Sequence, residues 1–175
     1  MNETIKTLLT RRSIRKYKND EVPQELIDQI IEAGLYAASG MGKQSSIIIS
    51  ITNKEERENF RKINGEIMNA DKDADPFYGA PVILLVLSDK NSSNAQYDGS
   101  LIMGNMMNAA HALGLGSVWI NRARQEFEMD FGKQFLERHN IKGDYVGIGH
   151  LALGYKDEED PVPAKRKENR VYYIK

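Results

Sequence analysis

Residues 80–87 read Ala80-Pro81-Val82-Ile83-Leu84-Leu85-Val86-Leu87, eight positions without one polar side chain. A short run that is apolar on both faces reads as a central strand covered on both sides. It is far too short to cross a bilayer. The covering layers are then sought on either flank. Toward the C-terminus, residues 94–113 are apolar nearly all round, with Leu101, Ile102, Met103, Met106, Met107, Ala109, Ala110 and Leu113. Such a helix is expected to be buried. Gly114-Leu115-Gly116 ends it and Val118-Trp119-Ile120 begins another strand. A helix is expected over 125–138 and a strand over Tyr145–Gly154. Toward the N-terminus, residues 54–70 read as a charged helix and the β-branched run Ile47–Ile51 as a strand.

Before these, Val22-Pro23 opens a helix running to about Ala38, with Leu26, Ile27, Ile30, Ile31 and Leu35 at helical spacing. Ser39-Gly40-Met41-Gly42 breaks it in a loop, and residues 2–10 form a short first helix. The order is mixed α+β, not a βαβ alternation, and is read as one domain over 1–175. The tail from Tyr155 is acidic, then basic, and closes on the strand-like Val171-Tyr172-Tyr173-Ile174. Such a tail cannot bury itself easily, and a partner subunit is one surface for it to lie on.

Composition narrows the function. Hydrophobic residues at 41% and charged residues at 28% fit a soluble globular chain. A net charge of -1 argues against a globally basic nucleic-acid binder. There is no cysteine, which removes thiolate catalysis, disulfides and Cys-type zinc sites and fits a reducing cytoplasm. No signal-peptide core is visible, so a cytoplasmic location is expected. His111, His139 and His150 have no metal-ligand spacing, and neither a Walker motif nor a G-x-S-x-G elbow occurs. Gly114-Leu115-Gly116 follows a helix and lacks a third glycine, so it is no dinucleotide fingerprint. No nucleophile, metal site or acid/base pair stands out. The chemistry is therefore expected to belong to a bound cofactor and not to a catalytic side chain.

The charge is unevenly placed. Arg11, Arg12, Ser13 and Arg15 stand together near the start, with Ile14 as an apolar anchor, and Lys165-Arg166-Lys167 lie near the end. Guanidinium groups make forked, charge-assisted hydrogen bonds to phosphate oxygens. Two such clusters brought together by folding would hold a phosphate monoester. As a generic cluster, the first would more often be a solvated surface loop; Ser13 and Ile14 weigh against that here. Ser39-Gly40-Met41-Gly42-Lys43-Gln44 either simply caps the preceding helix or lets the backbone approach a flat ligand, with Gln44 as donor and acceptor.

These residues also carry a resemblance. Arg11–Tyr17 followed by Val22-Pro23 resembles the opening of the FMN-dependent nitroreductase family. Ala37–Gln44 stands where that family has Ala-Pro-Ser-Gly-x-Asn-x-Gln. Tyr78–Pro81, Asp98–Trp119, Leu153-Gly154-Tyr155 and Arg166-Lys167 are similar to its later elements. Ala38, Gly42 and Ser45 depart from the usual Pro, Asn and Pro, and bear on substrate preference more than on the cofactor.

The resemblance implies an α+β fold with a central mixed or antiparallel sheet flanked by helices, and an interlocked homodimer exchanging C-terminal tails. It implies FMN at the dimer interface, with Arg11, Arg12, Ser13, Arg15, Arg166 and Lys165 toward the phosphate. Ser39, Gly40, Met41 and Gln44 would come from the partner. Trp119, Ile120, Asn121 and Arg122 would line the ring, with a backbone N–H toward N5, and Asn64 would read its pyrimidine edge. The implied activity is NAD(P)H-dependent reduction of nitroaromatics, quinones or similar acceptors by ping-pong turnover, with NADH or NADPH as donor. Other redox chemistry on the same fold (dehalogenation, ring oxidation, flavin breakdown) and a non-catalytic flavin carrier are the alternatives. Neither nucleic acid nor membrane is implied as a partner.

Overall fold

The apolar run lies at the heart of an antiparallel sheet. The computed structural model describes residues 1–175. Its strands are β1 (Ser46–Ile51), β2 (Val82–Asp89), β3 (Gly116–Ile120) and β4 (Tyr145–Gly154), in the order β1-β2-β4-β3. Every pairing is antiparallel, which decides between the mixed and antiparallel expectations. The register slips between Val86 and Leu87, opposite Gly149 and Gly147. β2 shows why both of its faces are apolar. Ile83, Leu85 and Leu87 pack on one side with Ile14, Phe60, Phe77, Val118 and Phe135. Val82, Leu84 and Val86 pack on the other with Ile27, Ile30, Met103, Met106 and Leu151. The alternation is the two-residue period of a strand. Each of these fully buried side chains contributes about 1.5–3 kcal/mol.

The helices are α1 (Glu3–Thr10), α2 (Gln24–Leu35), α3 (Lys54–Ile67), α4 (Ala95–Ala112), α5 (Ala123–Glu128) and α6 (Asp130–Arg138). No helix is long and apolar enough to cross a membrane. Three boundaries differ from the sequence expectation. α2 stops at Leu35, because Tyr36 is 83% exposed and caps the helix by donating to Glu32 O. α3 stops at Ile67, where Asn69 turns left-handed at φ 51°. The helix expected over 125–138 is two helices, broken where Met129 is extended at φ -93° and ψ 166°.

One further expectation is corrected. α4 buries Ile102, Met103, Met106 and Ala110 but leaves Tyr97 and Leu101 exposed. It is a half-buried helix in this chain, not an enclosed one. Within the single chain the tail adds no strand to the sheet, and Val171, Tyr172, Tyr173 and Ile174 are all exposed.

Candidate functional site

The arginine segment is pinned to the edge of the sheet. Ile14 is 1% exposed and its N–H donates to Ser117 O at 3.1 Å, while Ser13 bridges Ser117 on β3. The Tyr17 hydroxyl donates to Ile14 O at 2.8 Å and Ala152 O at 3.2 Å. Burial, above all, pushes that phenol far above its ordinary range, so it stays a donor. The three arginines then do different things. Arg12 Nη1 donates to Leu9 O at 2.9 Å and Arg11 O at 2.7 Å, capping the carbonyl end of α1. Arg15 donates its main-chain N–H to the Glu158 carboxylate. Arg11 Nη1 is buried and has no partner. Burial, and then the neighbouring Arg12 charge, hold the Arg11 guanidinium below its ordinary pKa. A buried guanidinium nitrogen without an acceptor is costly, and an anion would satisfy it.

The Ser39–Gln44 loop is organised from α4. Asp98, 5% exposed, accepts from Ser39 Oγ at 3.2 Å and from the Gly40 N–H at 3.0 Å. Ser39 Oγ in turn accepts from the Gln44 N–H at 2.8 Å. A side chain on Gly40 would place its Cβ 2.0 Å from Asn94 Nδ2, so Asn94 would have to move aside for any other residue. Met41 and Gln44 are both left-handed, at φ 55° and 48°, and Met41 is exposed. Asp98 was not singled out as a site residue from sequence; the available signal was one carboxylate in an otherwise apolar helix.

The third element is the turn after β3. Trp119 lies over Gly149, where an added Cβ would come within 2.5 Å of Nε1. That Nε1 is buried and unpartnered. Ile120 is buried, Asn121 is exposed, and Arg122 is left-handed at φ 82°. The main-chain N–H groups of Asn121 and Arg122 donate to nothing in the chain. Asn64, expected on the wall of the site, is fully buried behind this turn. Its Nδ2 donates to Asn121 O at 3.0 Å and Glu126 Oε1 at 2.7 Å, and its Oδ1 accepts from Arg122 Nε at 2.8 Å. Sequence reasoning did not mark Glu126 or identify the buried contact between it and His150. Glu126 Oε2 faces His150 Nε2 at 2.8 Å.

The structure brings some of these elements together and keeps others apart. The arginine segment meets β3 at Ser117 and the free N–H groups follow at Asn121, about 13 Å along the strand by its rise per residue. The Ser39–Gln44 loop sits at Asp98 near one end of α4, whereas Thr10, next to Arg11, meets His111 at the other. Those two points of α4 are about 20 Å apart by helical rise. Arg166 donates only to Ala164 O, and neither it nor Lys165 bonds to the arginine segment.

The cavities divide in the same way. The cleft lined by Ala38, Ser39, Gln44 and Ser45 holds about 70 Å³. That is small beside the roughly 300–1,000 Å³ of ordinary ligand pockets. A cavity of about 600 Å³ lies elsewhere, between Lys90, Arg124, Lys133 and Tyr145, and includes none of the expected site residues. No cluster of His, Asp or Glu is arranged to hold a metal.

Residues 8–155 match the model of the nitroreductase family. A Methanothermobacter thermautotrophicus protein, named provisionally as an NADH dehydrogenase/NAD(P)H nitroreductase, is 34% identical over 169 residues, covering 91% of this chain and 84% of that one. The NAD(P)H-dependent FMN reductase of Bacillus subtilis is 32% identical over 146 residues, covering 71% of this chain and 56% of its own. Among solved structures, a Bacteroides fragilis nitroreductase with bound FMN superposes with a TM-score of 0.89 at 25% identity, covering 100% of both chains.

Proposed function

The chain belongs to the nitroreductase family, and on that footing we propose that it is an FMN-containing oxidoreductase that draws electrons from NADH or NADPH. The observation that carries this reading is the equipment of β3. An unsatisfied buried guanidinium nitrogen on Arg11 stands beside one end, and two unused main-chain N–H groups stand at the other. A phosphate joined by a ribityl chain to a flat, electron-poor ring presents acceptors at both ends of such a span. The residues present therefore fit FMN.

In this reading Arg11, Ser13 and Arg15 hold the phosphate, with Arg12 shaping the loop from behind. Trp119 and Ile120 form a wall for the ring, and Asn121 and Arg122 offer their N–H groups to its polar edge. Asn64 supports that turn without touching the ligand. When bound, FMN supplies hydride acceptance from NAD(P)H and onward delivery to a nitroaromatic, a quinone or a related acceptor in ping-pong order. The chain's own part is to bind, to orient and to exclude water. No side chain needs to change covalently.

The site is completed by a second copy of this chain. The Ser39–Gln44 loop is anchored at Asp98, about 20 Å along α4 from the point where Thr10 meets His111 beside the arginine segment, so the two are held at opposite ends of that helix. Two surfaces support the same reading: Tyr97 and Leu101 on α4, and the exposed tail with Val171, Tyr172, Tyr173 and Ile174. In the dimer, Ser39, Gly40, Met41 and Gln44 of one copy close over the ring held by the other. Lys165 and Arg166 then reach a phosphate that they do not approach alone. Four charged groups on the phosphate contribute about 6–12 kcal/mol before ordering costs, and nanomolar retention needs about 12 kcal/mol net, so the covered apolar face supplies the difference.

The test is titration of FMN-free protein with FMN and with riboflavin, while the mass in solution is followed by light scattering. Tight, phosphate-dependent binding to a dimer is expected. Equal affinity for both flavins would remove the phosphate assignment, and tight binding to a monomer would remove the shared site.

A further inference from the structure

Three fully buried polar residues, Asn64, Glu126 and His150, lie together in an otherwise apolar layer, with His150 between the rings of Phe60 and Phe77. Nothing in the proposed chemistry uses their reactivity. Burying such groups is unfavourable unless each is partnered, and here they converge on one place. Asn64 grips the turn twice, at Asn121 O and at Arg122 Nε. Arg122 is not glycine, yet it is left-handed at φ 82°, a conformation that L-residues disfavour. The backbone around it is held from the other side as well, since the N–H of Glu126 donates to Arg122 O at 3.0 Å.

The chain of contacts has a direction. A main-chain carbonyl only accepts, and an arginine Nε only donates. Asn121 O and Arg122 Nε therefore require the Asn64 amide to present its NH₂ group to the one and Oδ1 to the other, and Glu126 Oε1 accepts from that same NH₂ group. A flipped amide would set donor against donor at Arg122 and lose the bond to Asn121 O. Glu126 thus reinforces the way Asn64 points, while His150 Nε2 lies 2.8 Å from the other carboxylate oxygen without hydrogen-bonding alignment.

We propose that Asn64, braced by Glu126, is a positioning residue that holds the Asn121–Arg122 turn left-handed and so leaves its two N–H groups free for ligand. The identity of that ligand rests on the FMN reading above; the positioning role does not.

The test uses the full chain carrying Asn64→Leu, alone and with Arg122→Gly, because glycine adopts the left-handed turn without help. Two signals are read. In FMN-free protein, hydrogen exchange at the amide of residue 126 reports the turn through its bond to Arg122 O. In FMN-loaded protein, the midpoint potential of the flavin reports the donors at the ring. N64L is expected to speed exchange at 126 about tenfold relative to amides in β2 and β4 and to shift the potential. In the R122G background both effects are expected to shrink. Exchange rising equally across β2 and β4 with an unchanged potential would mean general loosening and would overturn the proposal. So would effects of N64L undiminished by R122G. Should N64L fail to fold, Glu126→Gln takes its place with the same two signals, and the same results support or overturn the proposal. If the wild-type protein takes up no FMN, the FMN reading fails on its own, and the exchange data with the glycine rescue still decide the positioning role.

Discussion

Replacing Arg11 by methionine separates two contributions that the folded chain holds in opposition. In the FMN-free protein Arg11 Nη1 is buried without an acceptor, and burial with the adjacent Arg12 charge disfavours the charged guanidinium. A buried unsatisfied donor costs about 1–3 kcal/mol. Methionine keeps the apolar stem and removes the donor, so part of that cost is recovered against some lost packing. A gain of about 1 kcal/mol is expected, which for a chain of this size raises Tm by about 2–4 °C. With FMN present the sign reverses. One charge-assisted bond to phosphate is worth about 1.5–3 kcal/mol, so the Kd for FMN should rise roughly 10- to 150-fold. Riboflavin has no phosphate and should bind the variant and the wild type alike. Thermal melts with and without FMN and two fluorescence titrations measure all of this. An FMN-free variant that melts lower than wild type, together with an unchanged Kd for FMN, would refute the reasoning, because Arg11 would then be a structural residue with a satisfied guanidinium.

Four shorter expectations follow. Asp98→Ala removes the acceptor shared by Ser39 Oγ and the Gly40 N–H; it should cost about 1–3 kcal/mol and open the 39–44 loop to limited proteolysis, whereas an unchanged cleavage pattern would mean the loop is held elsewhere. Gly149→Val drives a Cβ against Trp119 and should lower the urea midpoint by an amount equivalent to about 1–3 kcal/mol, with quenched or shifted Trp119 fluorescence. Burial by itself raises the Glu56 carboxyl, but hydrogen bonds from His139, Asn59 and Arg138 outweigh it and hold the group below its ordinary value of 4.5. A lowered folded-state pKa stabilises above the unfolded value and is lost as pH falls through the folded one; the stability gap between wild type and Glu56→Gln, measured by urea melts, should therefore be full near neutrality and close on acidification below pH 4.5. Deleting residues 158–175 should convert the dimer to monomer in light scattering; a truncated chain that remains dimeric would show that α4 suffices for association.

What could be read in the sequence was what depends on near neighbours. The run Val82–Leu87 declared a strand buried on both faces, and the structure places its alternate residues in two separate cores. Ile14 was legible as an anchor because it stands alone among charges, and it is 1% exposed. What escaped depends on residues far apart in the chain. Asn64, Glu126 and His150 lie on α3, α5 and β4 and mean nothing until the sheet brings them together. The depth of Asn64, which is fully buried, cannot be read from its neighbours in sequence. That Arg12 gives one end of its guanidinium to the α1 carbonyls was not legible either, because it depends on how the loop folds back. The break at Met129 carries no glycine or proline, so only the docking of α5 and α6 as separate helices reveals it.

The central claim is that this chain holds a flavin and passes electrons through it. Its most direct test is the visible absorption spectrum of the purified protein, reconstituted with FMN and kept anaerobic, before and after NADH and then NADPH. The account expects an oxidised flavin spectrum that bleaches with one or both donors and returns when a nitroaromatic or quinone is added. A protein that takes up no FMN, or a bound flavin that neither donor bleaches, would contradict it.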